Sequence, residues 1–290
     1  MKPLSSRCAL AAALLLCVLG AQQQPQAHPA ISAQIDELEH AMRAAPDQAE
    51  LLMRRAELFR QHRQWPAALR DLDAAERLSP EAAFTARLNY HRARLFQQMK
   101  QTDQALELIE RYLATNPSDP DAHRLLAHIL RDLGQTEKAI VAARDAMRLN
   151  ARPSPDDYIE LASIENASGD SRSAVATLDL GISRLGPIVS LQLAAIAIDE
   201  QAGEFAAALQ RLDALGHAGM QEEFRLVRRA RVLSVAGRPE AARKDCRQAQ
   251  ALLMRDAQRR TLPANRKLLS EIAAILADSK TSTKLAKSAP

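Results

Sequence analysis

Large flat side chains are almost missing from this chain: Phe, Trp and Tyr together supply 3% of its 290 residues. Strands favour aromatic and β-branched residues, whereas the Ala, Leu, Arg, Gln and Glu that dominate here are strong helix formers. The composition therefore argues for helices that meet through small side chains. Glycine is as scarce, at nine residues. Gly20 lies in an N-terminal apolar stretch, and four others recur at a fixed interval described below. No Gly-rich loop is left to cradle a phosphate, and no nucleophile elbow is present. Cysteine numbers three, of which Cys8 and Cys17 fall in the first twenty residues. Cys246 then has no partner for a disulfide, which suits an oxidising compartment if the thiol is buried. An excess of one charge is also lacking. The formal +4 rests on the ends: with Lys2, Arg7, Lys280, Lys284 and Lys287 set aside, 34 basic groups face 35 acidic ones. A nucleic-acid binder would carry a basic face with stacking aromatics or a readable motif. Neither is evident, so nucleic acid is not an expected partner.

The one long apolar run follows the basic residues Lys2 and Arg7, extends from Cys8 to Leu19, and is succeeded by Gly20, Ala21 and three glutamines. That order is the layout of a secretory signal peptide. About a dozen apolar residues fall short of the roughly 20 that span a bilayer comfortably. Cleavage after Gly20 or Ala21 fits, so 1–21 is read as a signal peptide and 22–30 as a linker. An uncleaved anchor is the alternative. Lipidation at Cys17 is disfavoured by Leu16, because a small residue is required before the modified cysteine. Arg outnumbers Lys 31 to 8 and Ala is abundant, a bacterial, GC-rich signature that would place the protein in a periplasm.

What the rest of the chain does have is a period. Ala68, Ala105, Ala139, Ala174, Ala208 and Ala242 are separated by 37, 34, 35, 34 and 34 residues. Five residues before the last four stand Gly134, Gly169, Gly203 and Gly237. Twelve before, five of the six units carry Ala56, Ala93, Ala127, Ala162 and Ala230, with Ile196 as the exception. Seven after come Ala75, Ala146, Gly181 and Ala249, with Tyr112 and Leu215 in the other units. Small residues at these places let two helices cross closely, where a larger one would cost roughly 1–3 kcal/mol of overpacking. Gly suits a turn that needs positive φ, and Pro80 and Pro117 stop the second helix of the first two units.

These spacings resemble the tetratricopeptide repeat, a helix-turn-helix of 34 residues. The resemblance covers roughly 31–277. It implies an all-α, right-handed superhelical α-solenoid of about six repeats with capping helices. The units read as an N-terminal half-repeat at 31–45, then repeats at 49–81, 86–117, 120–151, 155–187, 189–216 and 223–254, and a C-terminal capping helix at 263–277. Capping pieces of this kind keep such arrays soluble. The Lys, Ser and Thr-rich stretch 278–290 is read as a disordered tail. Three units depart from the family by placing Arg55, Arg92 and Arg229 where Leu is usual. Either their stems pack while the guanidinium reaches water, or they pair locally with Asp or Glu.

Nothing in the chain reads as a catalytic constellation. His123 and His128 lie five apart on one helix and face different ways, so they make poor joint ligands. Cys246 occupies an apolar slot of a second helix and reads as structural rather than nucleophilic. No metal and no cofactor is expected. What the resemblance implies instead is a concave groove lined by the first helix of each hairpin, whose fifth, ninth and twelfth positions share one face. In the middle of the array these are Tyr90, Arg94 and Gln97, then Arg124, His128 and Arg131, and then Ile159, Ser163 and Asn166. Arg94, Arg124, Arg131 and His128 predict a basic stretch that takes a partner segment with acidic residues or a free carboxylate. Some chaperone-binding relatives hold a terminal carboxylate with a Lys/Asn/Arg set at these positions. Met53 and Glu57 occupy the first two such places here, so that clamp is not carried over.

The expected function is accordingly a non-catalytic protein–protein interaction module, a scaffold or adaptor for a periplasmic or cell-envelope assembly. A chaperone-like holder of secreted clients and an accessory subunit of an envelope enzyme or transport complex are the alternatives. Membrane contact is expected only through an uncleaved leader or through a partner.

Overall fold

A computed structural model of the chain describes residues 29–44, 48–216, 219–255 and 262–287. The signal peptide at 1–21, most of the linker and the last three residues of the tail lie outside the described residues. The fold is all-α: among the described residues there are fourteen helices and no strand. They fall into two compact units that divide between Thr115 and Asn116.

The first unit holds α1 (Pro29–Ala44), α2 (Ala49–Gln61), α3 (Trp65–Leu78), α4 (Ala82–Gln98) and α5 (Thr102–Thr115). Consecutive helices pack on one another, and α2 also meets α4. The core joins Leu52, Met53 and Ala56 of α2 to Ala68, Leu72 and Ala75 of α3 and to Phe84, Leu88 and Leu95 of α4. The second unit holds α6 (Pro120–Asp132), α7 (Thr136–Leu149), α8 (Pro155–Ala167), α9 (Ser171–Leu185), α10 (Val189–Ala202), α11 (Phe205–Leu215), α12 (Glu222–Val235), α13 (Pro239–Met254) and α14 (Pro263–Lys287). Here too each helix packs on the next, α8 meets α10, and α14 lies against both α12 and α13. Helices α2, α4, α6, α8, α10 and α12 are the first helices of six hairpins, and α3, α5, α7, α9, α11 and α13 the second.

All six anchoring alanines are at most 1% exposed. Ile196, where the other units have Ala, is fully buried and joins the α10–α14 core with Leu212, Leu226 and Cys246. The four turn glycines adopt φ of +72° to +91°. The first two hairpins make the same turn without glycine: Arg63 and Lys100 sit at φ +56° and +61°. The closing hydrogen bonds are the same in both cases. Gly134 N–H donates to Arg131 O and Gln135 N–H to Leu130 O, just as Lys100 N–H donates to Gln97 O and Gln101 N–H to Phe96 O. This double closure satisfies the last carbonyls of the first helix.

Three boundaries differ from the sequence reading. The stretch 278–290, read as a disordered tail, is helical as far as Lys287. No Gly or Pro interrupts it, and its Lys, Ala and Leu continue a helix already begun. The first helix begins at Pro29, two residues early, where proline's fixed φ and missing N–H are tolerated. The extra residues before the second repeat form a first turn of α4, held by Phe84 in the core. The three arginines that replace Leu pair with acids. Arg55 binds Asp71 through Nε and Nη2, both at 2.7 Å, Arg229 reaches Asp245 at 2.6 Å, and Arg92 reaches Asp73 and Glu76 at 2.7 and 2.8 Å.

Candidate functional site

In the first unit the exposed side of α2 and α4 is organised around Glu57. Arg60, one turn on, donates to it from Nε at 2.9 Å and Nη2 at 2.6 Å. Arg94 Nη1 approaches the same carboxylate at 3.4 Å and His91 Nδ1 at 3.8 Å. Burial alone would raise the Glu57 pKa, but the hydrogen bonds from Arg60 and the charges of Arg60 and Arg94 outweigh it and hold the carboxyl far below the usual range. The Arg94 guanidinium also lies over the Tyr90 ring, 5.7 Å from its centroid, and that ring leans on Tyr112 at 5.2 Å. Gln97 is half-buried on the same helix. Beside this cluster α1, α2 and α4 enclose a cavity of about 580 Å³ with an apolar wall of Leu38, Ala41, Leu51 and Met53 and a polar edge that includes Glu57 and His91.

In the second unit the corresponding face begins with Arg124, His128 and Arg131 on α6. Asp119 caps that helix, accepting from the N–H groups of Asp121 and Ala122. Arg124 pairs with Asp121 of its own first turn, donates to Asp157 of α8 at 2.6 Å, and lies 4.0 Å from Glu160. Asp157 is a junction. It completes a capping box with Ser154 at the start of α8, taking the Ser154 N–H at 2.7 Å, and also accepts from Asn150 at 3.3 Å. Burial pushes its pKa up, but the Ser154 hydrogen bonds and the Arg124 guanidinium prevail and hold it below the usual carboxylate range. Arg131 donates to His128 Nδ1 at 3.1 Å, which leaves the proton of a neutral ring on Nε2, 2.9 Å from Glu160 Oε1. Further along, Ser163 is exposed, and Asn166 donates to Gln201 at 2.8 Å while accepting from Ser171 at 2.8 Å. Glu200 receives Arg228 at 3.0 Å through both Nε and Nη2, and Arg231 reaches Glu271 of α14 at 3.3 Å.

The expected basic stretch is therefore not a free strip of positive charge. Arg94 shares Glu57 with Arg60, and Arg124 faces Asp121, Asp157 and Glu160. Of the three arginines, Arg131 is the exposed one, and its contact among the described residues is a ring nitrogen rather than a carboxylate. Asp157 and Glu160 escaped sequence reasoning because they occupy the third and sixth positions of the next helix, outside the groove set. The acidic first turn Asp156-Asp157, about one period after Arg124, is the signal that could have found them. Cys246 is fully buried, and burial first, then Asp245 and Glu271, push its thiol up to about 11, so it is not a nucleophile at neutral pH. Among the described residues no three His, Cys, Asp or Glu side chains converge as a metal site, and no helix is long and apolar enough to cross a membrane.

Two family models described as tetratricopeptide repeat match the chain, at residues 86–129 and 121–153. Residues 86–153 carry tetratricopeptide repeats. Solved structures carry the likeness over more of the chain. The C-terminal part of a tetratricopeptide-repeat-containing protein from Cytophaga hutchinsonii aligns with TM-score 0.61 at 12% identity, covering 79% of this chain and 93% of that one. A tetratricopeptide repeat protein from Parabacteroides merdae aligns with TM-score 0.53 at 17% identity over 84% and 92%. PilF from Pseudomonas aeruginosa aligns with TM-score 0.51 at 15% identity over 82% and 99%. At these identities the likeness concerns the fold. No curated protein sequence matches the chain. Each tetratricopeptide hairpin thus contributes one first-helix face, and the clusters around Glu57 and Asp157 belong to such faces.

Proposed function

We propose that this tetratricopeptide-repeat protein is a non-catalytic module that binds a protein segment along the first helices of its hairpins, as a scaffold or adaptor of a periplasmic or cell-envelope assembly. The observation that carries the reading is how those faces are arranged. Arg94, Arg124 and His128 keep 32%, 31% and 32% of their side chains exposed while Glu57, Asp157 and Glu160 fix their positions. Side chains already held in place lose less entropy on binding, a saving of roughly 0.5–1.5 kcal/mol for each one that need not be immobilised. On the second unit a carboxylate of the partner meets Arg131, since Arg124 is committed to Asp157; on the first unit it meets Arg94. A charge-assisted hydrogen bond of this kind contributes roughly 1.5–3 kcal/mol. No metal and no cofactor enters the reading. The envelope location rests on the leader-like first 21 residues, and fractionation with mass determination of the mature N-terminus tests it.

The binding test is capture of the natural partner by the double variant Arg94→Glu, Arg131→Glu. Both groups are on the surface, so the fold should survive, as circular dichroism will report. Capture should fall at least about tenfold, the equivalent of one charge-assisted contact. Unchanged capture by a folded double variant contradicts the reading. The cavity between α1, α2 and α4 favours a second version, a chaperone-like holder, because its Leu38, Leu51 and Met53 wall accepts an apolar side chain. That version would give many co-purifying clients, where an adaptor gives one or a few.

A further inference from the structure

The second helices carry a feature that the first-helix face does not use. Where α7 and α9 flank α8 they leave a cleft of about 750 Å³, within the range of 300–1,000 Å³ typical of ligand sites. Arg144, Met147 and Arg148 of α7 line it on one side, Leu180 and Arg184 of α9 on the other, and Glu165 of α8 lies beneath. Glu165 is 2% exposed and held on both oxygens, by Arg144 at 2.7 Å and by the Thr177 hydroxyl at 2.6 Å. The floor is thereby ordered and its charge is spent on Arg144. The two other arginines are differently placed. Arg148, 68% exposed, has among the described residues only a surface pair with Asp145 one turn away, a kind of contact that contributes little. Arg184 is exposed and has no polar partner among the described residues. Between these cations, Leu180 stands 43% exposed at a place where a solvated helix would carry a polar residue.

We infer that this cleft is a second docking surface, for a protein segment in which an aliphatic side chain is flanked by carboxylates. The aliphatic group enters against Met147 and Leu180, and the carboxylates pair with Arg148 and Arg184. Charge complementarity selects this occupant. Apolar walls alone would take any hydrophobic segment, and the arginines alone any anion, but the two together reject a basic segment and a simple polyanion alike. The surface is distinct from the first-helix face: its residues belong to α7, α8, α9 and the loop 150–153, and include none of Arg94, Arg124 or Arg131.

The test uses the full chain and fluorescein-labelled acetyl-Asp-Glu-Leu-Glu-Asp amide, followed by fluorescence anisotropy. The expected result is saturable binding that weakens at least about tenfold with Arg184→Glu and with Leu180→Asp, and by a similar factor when the peptide's Leu is replaced by Ser. In an Arg131→Glu background the losses caused by Arg184→Glu and by the Ser peptide should persist, which separates failure here from failure of the first-helix face. Both substituted cleft residues are exposed, so folding is expected to survive and circular dichroism confirms it. Absence of saturable binding overturns the inference. So does equal binding of the Ser peptide, displacement by inorganic phosphate as effective as by unlabelled peptide, or a loss caused by Arg131→Glu instead of Arg184→Glu.

Discussion

A methyl group added to Gly181 would place its carbon 2.8 Å from Cγ of Tyr158, a ring that is fully buried. Helix propensity favours Ala over Gly by about 1 kcal/mol, but overpacking against an immobile ring costs roughly 1–3 kcal/mol and should win. Gly181→Ala is therefore expected to lower thermal stability, and larger residues to lower it further. The opposite sign is expected at Arg63 and Lys100, which hold left-handed backbone with φ of +56° and +61°. A side chain there costs about 1–2 kcal/mol, part of which glycine returns as unfolded-state entropy. Arg63→Gly and Lys100→Gly should each stabilise by about 0.5–1 kcal/mol in urea titration, and destabilisation at both would refute the turn assignment. The sequence shows why only half of this was legible. A period reveals that the twenty-seventh position is small and that four turns carry glycine. It does not reveal that Gly181 faces Tyr158, nor that two turns keep the left-handed geometry with arginine and lysine.

Asp157 ties an element to its neighbour, because one carboxylate both caps α8 and pairs with Arg124 of α6. Its pKa is held below the ordinary value of about 3.9, so the unfolded chain binds more protons than the folded one as the pH falls. The stabilisation is complete above about pH 5, begins to fade near pH 4 and is lost as the pH drops through the lower folded value. Asp157→Asn should cost about 1 kcal/mol at pH 7, the worth of a cap, and flatten the stability profile below pH 5. An unchanged profile would mean that Asp157 does not titrate as a structural group. At this scale the six hairpins were legible, since fixed Ala and Gly spacings set where helices cross and end. Helix ends were less so: the continuation of α14 to Lys287 and the added turn of α4 depend on neighbours and on the absence of a breaker rather than on a motif. The acids opposite Arg124 were illegible for a related reason, since pairing across repeats joins positions about 33 apart that no single helix wheel displays.

For the whole molecule, the proposed role rests on the first-helix faces of its hairpins. The first-helix residues foreseen from position alone do lie on the expected helices, but much of their charge is already spent on Glu57, Asp157 and Glu160. Under the proposed role, recognition by such a face depends on shape and on a few unspent groups, Arg131 above all, more than on a general positive field. The most direct measurement is photo-crosslinking in the native cell with a photoreactive residue at Ser163, which is exposed on α8, compared with the same residue at Val141, 59% exposed on α7. A discrete adduct with a protein partner is expected from Ser163, and none of the same mass from Val141. Equal adducts from both positions, or none from Ser163 while the protein is folded and present, would contradict binding along the first helices.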